Sequence, residues 1–441
     1  MKRMLAFIMM ALIVLSACEK AEKNVIISSE GEVTTESFNE NDIVKIKKLL
    51  KSSEHLVGYS SENGNGAFCD GGDICYFVSW AYAHSLIVSY DKETGEAAPL
   101  CKRENCSHDD INCSANIGAA CSELAYHDGK LYWVEADTGG DADFCLSVYC
   151  EDAKSTVRTV IKTVILGNAA GTINARFNDG KLIYTDAMYK EEDGAIHTVF
   201  GIADLNGEDD TVLINDESNE FFGRSFPMNI DIRLIDSTVY YTTTSRIDPN
   251  DENSDVRVGI YSYDLKTGTF STVCRLSSES GDIPKASGFK LLNSGELYFM
   301  TMETRKICRY NIDEGNWQAL FDFSEYGDTY GFPNGQIRDH AFIGEMCCIA
   351  AVNNGKTIIA AKDMNGNLVF ETDISEFADN TDGHFSIWIS GLDSENVYCC
   401  FSFQDVGYTY QLDKTVGVPI DGNGAMLMYQ NRSSLNKNWS K

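Results

Sequence analysis

The sequence predicts an all-β fold, a single seven-bladed β-propeller of four-stranded antiparallel blades, on three observations. Beyond about residue 68, short alternating apolar segments follow one another between Gly, Asp and Asn turns, without a sustained helical period. A turn-plus-strand element recurs seven times: Gly72-Asp73-Ile74, Gly129-Lys130-Leu131, Gly180-Lys181-Leu182, Ser237-Thr238-Val239, Gly295-Glu296-Leu297, Gly344-Glu345-Met346 and Glu395-Asn396-Val397. An acidic turn trails each copy, at 91–95, Glu151-Asp152, 204–207, 264–268, 313–315, 363–366 and 413–417, and the first acidic residues, taking Asp152 in the second copy, stand 49 to 61 residues apart. A repeat of that period, built from short strands, implies a propeller, whose radial stacking leaves only short sheet edges.

The elements follow in chain order. Residues 1–17 read as a lipoprotein signal peptide: Lys2 and Arg3 precede an apolar run over 5–15 that is too short to span a bilayer. The run ends in Leu15-Ser16-Ala17-Cys18, which resembles a bacterial lipobox and implies lipidation of Cys18. Residues 18–53 form a polar tether in which Ile43, Ile46, Leu49 and Leu50 recur at helical spacing, so a short helix is expected over 42–51. The propeller occupies 54–430 and carries a Cys-rich insert at 101–121, and a tail covers 431–441. Closure of the ring falls to a strand from 425–429 or to one around 56–59, completing a blade shared by both chain ends.

Composition narrows the function. Of 441 residues, 43% are hydrophobic and 23% charged, as in a packed globular protein. Acidic residues outnumber basic ones 66 to 36, and the net charge of −30 disfavours nucleic-acid partners.

The sharpest local signal is the insert Cys101-x₄-Cys106-x-His108-x₄-Cys113. Thiolates and an imidazole suit a tetrahedral structural zinc. The spacing departs from paired Cys-x₂-Cys knuckles, and in an exported chain Cys106–Cys113 and Cys101–Cys121 disulfides compete with the metal, as do free thiols in an anaerobic setting. Of the fifteen cysteines, those scattered through strands, including Cys347-Cys348 and Cys399-Cys400, read as core thiols.

The lipobox, the repeats and Leu100-Cys101-x₄-Cys106-x-His108-x₄-Cys113 together resemble predicted lipoproteins of Gram-positive anaerobes that carry a β-propeller (TolB-like) domain of unknown function. The resemblance implies the fold and an address on the outer side of the cell membrane, and no mechanism.

Long segments at 101–121, 185–198, 215–229, 242–258 and 323–338 are expected on one propeller face. Phe221, Phe222, Arg224, Tyr326, Tyr330 and Arg338 are the candidate ligand-contacting residues there, unless the Phe-Pro pairs at 226 and 332 simply pin their loops. No nucleophile elbow, zinc-protease helix or phosphate loop occurs. The sequence therefore reads as a membrane-anchored binding or scaffolding module for a glycan, a peptide or an envelope protein. The alternative is a polysaccharide hydrolase or lyase using paired carboxylates on that face.

Overall fold

The structure is a computed structural model that describes residues 68–434, apart from a number of short segments between strands. Cys18, the 42–51 segment, residues 56–59, Phe221, Phe222, Arg224 and Tyr330 lie outside the described residues. The described strands form seven antiparallel sheets in chain order, spanning 68–117, 121–167, 174–214, 227–277, 286–322, 337–373 and 385–434. Each sheet packs on the next and the last packs on the first, which is the plan of a β-propeller.

Every one of the seven turn-plus-strand copies leads the second strand of a sheet. Several of these strands, such as Ile74–Ser79 (ICYFVS) and Leu297–Thr301 (LYFMT), read as near-continuous apolar runs because both faces are covered. In Ile74–Ser79, Cys75 and Phe77 face the seventh sheet, while Tyr76 and Val78 face the second. In Met346–Asn353, Cys348 and Ala350 pack toward the seventh sheet, and Cys347 and Ile349 pack toward the fifth. The adjacent-thiol pair thus splits across two interfaces, and Cys347, Cys348, Cys399 and Cys400 are buried free thiols. Burial pushes the Cys348 thiol up to about 12.

The acidic turns carry one correction of register and one of position. Asp91 Oδ1 accepts the backbone N–H groups of Glu93 and Thr94 at 3.0 and 2.9 Å, and Asp264 does the same for Lys266 and Thr267 at 2.7 and 3.0 Å. In the fifth sheet the equivalent acceptor is Asn311, bonded by Asp313 and Glu314, and not the expected Asp313. An amide oxygen serves a turn of this kind as well as a carboxylate does. Asp413, expected in the seventh turn, lies inside the strand Tyr410–Pro419, paired with Ser402 and Asn431.

The strands also absorb much of two expected loops. Lys181–Lys190 and Ala195–Asp204 leave only 191–194 between them, and Thr238–Arg246 and Val256–Asp264 leave 247–255. The last strand, Met426–Ser434, runs past the expected boundary at 430 and pairs only within the seventh sheet. Among the described strands no ladder joins first and last sheets, so a blade shared by both ends is not formed from 425–429. Contact between those sheets is by side chains: Phe68 stacks on Tyr398 at 4.4 Å, and the Tyr90 hydroxyl donates to Met426 Sδ at 3.1 Å.

A feature absent from the sequence reading recurs in five fourth strands. Ile161, Val273, Leu320, Val369 and Met428 each stand unpaired in a bulge opposite two consecutive ladder residues. Such bulges twist the outer edge and blunt it against pairing with another chain.

Candidate metal centre

The fourth strand of the first sheet is short because it is interrupted. The third strand, Ser85–Asp91, pairs with Glu96–Pro99 through Val88–Asp91 residues and with Asn116–Ile117 through Ser85 and Leu86. Residues 100–115 leave the edge and return to it. The sequence places the Cys module as a connection between sheets; the structure makes it an insertion in the first sheet's edge, and this sheet therefore has five strands.

One residue closes the neck of the insertion. The Leu100 N–H donates to the Ile87 carbonyl at 2.9 Å, and the Ile87 N–H donates to the Ala115 carbonyl at 2.8 Å. Asn116 fastens the returning arm: its N–H donates to the Cys113 carbonyl at 3.0 Å and its Nδ2 to the His108 carbonyl at 3.0 Å. Asn105 and His108 adopt left-handed φ values of 57° and 58° on either side of Cys106, a conformation that Asn and His tolerate better than branched residues do.

This backbone brings Cys101, Cys106, His108 and Cys113 together, with all four ligand atoms within 4.8 Å of one another. Cys106 Sγ lies 3.7 Å from Cys113 Sγ, and His108 Nδ1 lies 3.3 Å from Cys113 Sγ. Zn–S and Zn–N bonds of about 2.3 and 2.0 Å at tetrahedral angles require edges of about 3.8 Å and about 3.5 Å. The donor set and its spacing therefore fit a four-coordinate soft-ligand site. Cys101, Cys106 and Cys113 are free thiols in this structure, with Cys106 Sγ and Cys113 Sγ farther apart than the about 2.05 Å of a disulfide bond.

The surroundings are apolar on one side and cationic on the other. Cys101 and Cys113 are buried against Leu124, Leu131 and Trp133 of the second sheet, whereas Cys106 and His108 are half-buried. Trp133 is itself held, its Nε1 donating to Glu135 Oε1 at 2.8 Å. Arg103 Nε donates to Cys101 Sγ at 3.4 Å. Burial opposes a Cys101 thiolate, but the Arg103 side chain and backbone, with Cys113 and Cys106, outweigh it and bring the thiol to about 7. Burial dominates at Cys113 and pushes it up to about 11. Between these two thiols, negative charge is thus favoured at Cys101, where the guanidinium sits.

Four protein ligands would close the shell, so a bound ion would supply cross-linking and not an open coordination position. The loop's own residues do the rest: Ile87 fixes the neck, Arg103 balances thiolate charge, and Asn116 orients the His108 peptide.

Of the candidate ligand-contacting residues, Tyr326 and Arg338 lie among the described residues. Tyr326 ends a 3-10 turn, Ser324–Tyr326, and is buried, with its hydroxyl donating to Glu371 Oε2 at 2.6 Å. Arg338 is the bulged residue of the strand Ile337–Ile343, half-buried with its guanidinium 5.8 Å from the Phe385 ring centre in the next sheet. Burial lowers its pKa from the usual range.

Tyr326 belongs to a latch that the sequence reading missed. Asp322 Oδ1 accepts from the Ser324 N–H and hydroxyl, and Lys362 of the sixth sheet reaches across to the Asp322 carbonyl at 2.7 Å, to Glu325, and over the Phe323 ring at 4.9 Å. The next interface repeats the device. Asp373 accepts from the Ser375 N–H and hydroxyl, and Lys414 of the seventh sheet donates to the Phe377 carbonyl at 3.2 Å and lies over Phe403. The tandem Asp322-Phe323-Ser324-Glu325-Tyr326 and Asp373-Ile374-Ser375-Glu376-Phe377 was the available signal.

No protein-family model matches the chain, and no curated protein matches it. Solved structures similar to it include TolB from Acinetobacter baumannii, at 14% identity and a TM-score of 0.37, covering 67% of this chain and 63% of TolB. This chain therefore spans less than two thirds of TolB's length. The β-propeller domain of the Trilobed protease from Pyrococcus furiosus is similar at 12% identity and a TM-score of 0.46, covering 82% of this chain and 98% of that one. The polysaccharide lyase Uly1 is similar at 11% identity and a TM-score of 0.42, covering 84% and 90%.

Proposed function

We propose that the chain is a membrane-anchored lipoprotein whose seven sheets are the blades of one ring, stiffened by a structural zinc in the first blade, and that it binds a glycan, peptide or envelope protein on the outer side of the cell membrane. The circuit of contacts carries the reading: every sheet packs on its neighbours, the seventh meets the first, and the loop and latches tie down segments leaving the outer strands. A scaffold tied in this way presents its loops at fixed spacing, which lowers the ordering cost of binding. Cys18 supplies the anchor, and two or more acyl chains suffice for stable attachment.

The address is tested by expressing the full chain and its Cys18→Ala variant in bacteria with labelled palmitate. Wild type should take up label and sediment with membranes, and the variant should do neither; equal behaviour sinks the lipoprotein reading. Binding is tested by titrating the purified chain against arrayed polysaccharides and peptidoglycan fragments. Saturable binding with intact ligand supports the binder. Release of reducing or unsaturated sugar ends moves the assignment to a hydrolase or lyase.

A further inference from the structure

We propose that Cys106 and Cys113 form a reversible redox pair, so that a hydroperoxide converts the metal loop from a four-ligand clasp into a disulfide-closed loop without metal. The inference rests on the metal reading above and adds a regulation to it.

Geometry selects the pair. Cys106 is the half-buried sulfur of the three, whereas Cys101 and Cys113 are 6% and 0% exposed, so a small oxidant in solvent meets Cys106 first. Cys113 Sγ already lies 3.7 Å away, and a bond of about 2.05 Å needs an approach of under about 2 Å. Cys101 is engaged on its other side by the Arg103 guanidinium. The neck on Ile87 keeps both arms of the loop in place, and Cys106 sits in the turn between its two left-handed neighbours, Asn105 and His108, on the half-buried side of the cluster.

The chemistry balances. The Cys106 sulfur, deprotonated as a metal ligand, gives up its bond to the metal and attacks one oxygen of hydrogen peroxide; the O–O bond breaks and hydroxide departs, leaving a sulfenic acid. The Cys113 sulfur, likewise a metal-bound thiolate, then leaves the metal and displaces hydroxide from that sulfur, so that the S–S bond forms and the ion departs to solvent. Two thiolates lose two electrons in all, and the peroxide is reduced to two hydroxide ions that solvent protons turn into water. Cys101 and His108 alone remain as donors, too few for a structural shell.

The test uses the full chain in detergent, reduced, loaded with zinc and freed of excess metal. Hydrogen peroxide is added while a chromogenic chelator reports zinc, and peptide mass mapping locates the bridge. The expected result is one zinc released per chain, loss of two thiols, a Cys106–Cys113 link, and recovery with dithiothreitol plus zinc. Zinc retained while other thiols oxidise overturns the proposal, as does a bridge through Cys101. Cys106→Ser should slow peroxide-driven release about tenfold or more relative to wild type, and an unchanged rate overturns it. A reduced chain that takes up no zinc overturns the metal reading by itself. Peroxide mapping on that chain then decides the pair separately: a Cys106–Cys113 link supports it, and any other product overturns it.

Discussion

The first sheet and the fifth-to-seventh sheets face the same problem and solve it with different chemistry. A segment leaving an outer strand must be held against its blade while its backbone groups stay satisfied. At the first sheet the segment is a loop pinned at its neck by Ile87 and by Asn116, and it gathers three sulfurs and an imidazole near its tip. At the later interfaces the segment is a 3-10 turn, pinned by a lysine arriving from the following sheet. The first solution is local in sequence and gathers a Cys/His donor set that could hold a metal. The second is long-range and depends on a lysine that reaches from one sheet to the segment leaving the one before it.

The largest expected effect separates the two. Chelation of a zinc present at about a thousand times its dissociation constant removes about 4 kcal/mol of stability. Cys113→Ser should lose a similar amount and become insensitive to chelator, as read by thermal unfolding. Hydrogen exchange should rise at 85–91 and 96–117 and stay unchanged around 356–363; a global rise would erase the distinction between the two regions.

Acid should strike the other region. His340, in the first strand of the sixth sheet, is buried against Phe342, and burial lowers its pKa from 6.5 to about 4. The unfolded chain therefore takes up the proton first as pH falls. Stability contributed by the neutral imidazole is intact above about 6.5 and is lost progressively toward 4, by about 3 kcal/mol in all. Denaturant titrations with chelator present, which removes proton–metal competition at the Cys loop, should show this slope, and His340→Gln should flatten it.

The latches come next. Lys362→Met removes a donor to the Asp322 carbonyl and a partner of Glu325, and should cost about 2 kcal/mol. Exchange should rise near Tyr326 without affecting metal content. Lys414→Met should cost less, since its contact with the Phe377 carbonyl is longer at 3.2 Å. If either variant released zinc, the two regions would be coupled and not independent. The smallest effect belongs to a hairpin outside both: Gly268, at φ 69°, should lose about 1 kcal/mol on replacement by Ala, with metal content and latch exchange unchanged.

The legible part of this protein was the periodic part. The seven second strands were readable because a strand buried on both faces must be apolar along its length and bounded by turn residues, both local properties. The cluster's ligands were readable because Cys and His are rare and stood within thirteen residues. Their host was not: that residues 100–115 interrupt an edge strand depends on hydrogen bonds to Ile87, which belongs to the preceding strand and carries no signature. Asn311 escaped notice because an amide can do a carboxylate's work, and Asp413 misled because a lone Asp near a Gly occurs in strands as well as turns.

Tyr326 marks the boundary most clearly. By sequence it is one more aromatic in a long connection, suited to a ligand. Only the arrangement of the sheets brings Glu371, 45 residues away, to its hydroxyl and Lys362 beneath its turn. Composition and spacing determined the repeat, the number of sheets and the chemical character of the metal cluster. Which side chains are spent on holding neighbouring sheets together, and which are left to meet a ligand, was decided by tertiary packing, because a partner's position depends on which blade folds next and not on the residues alongside.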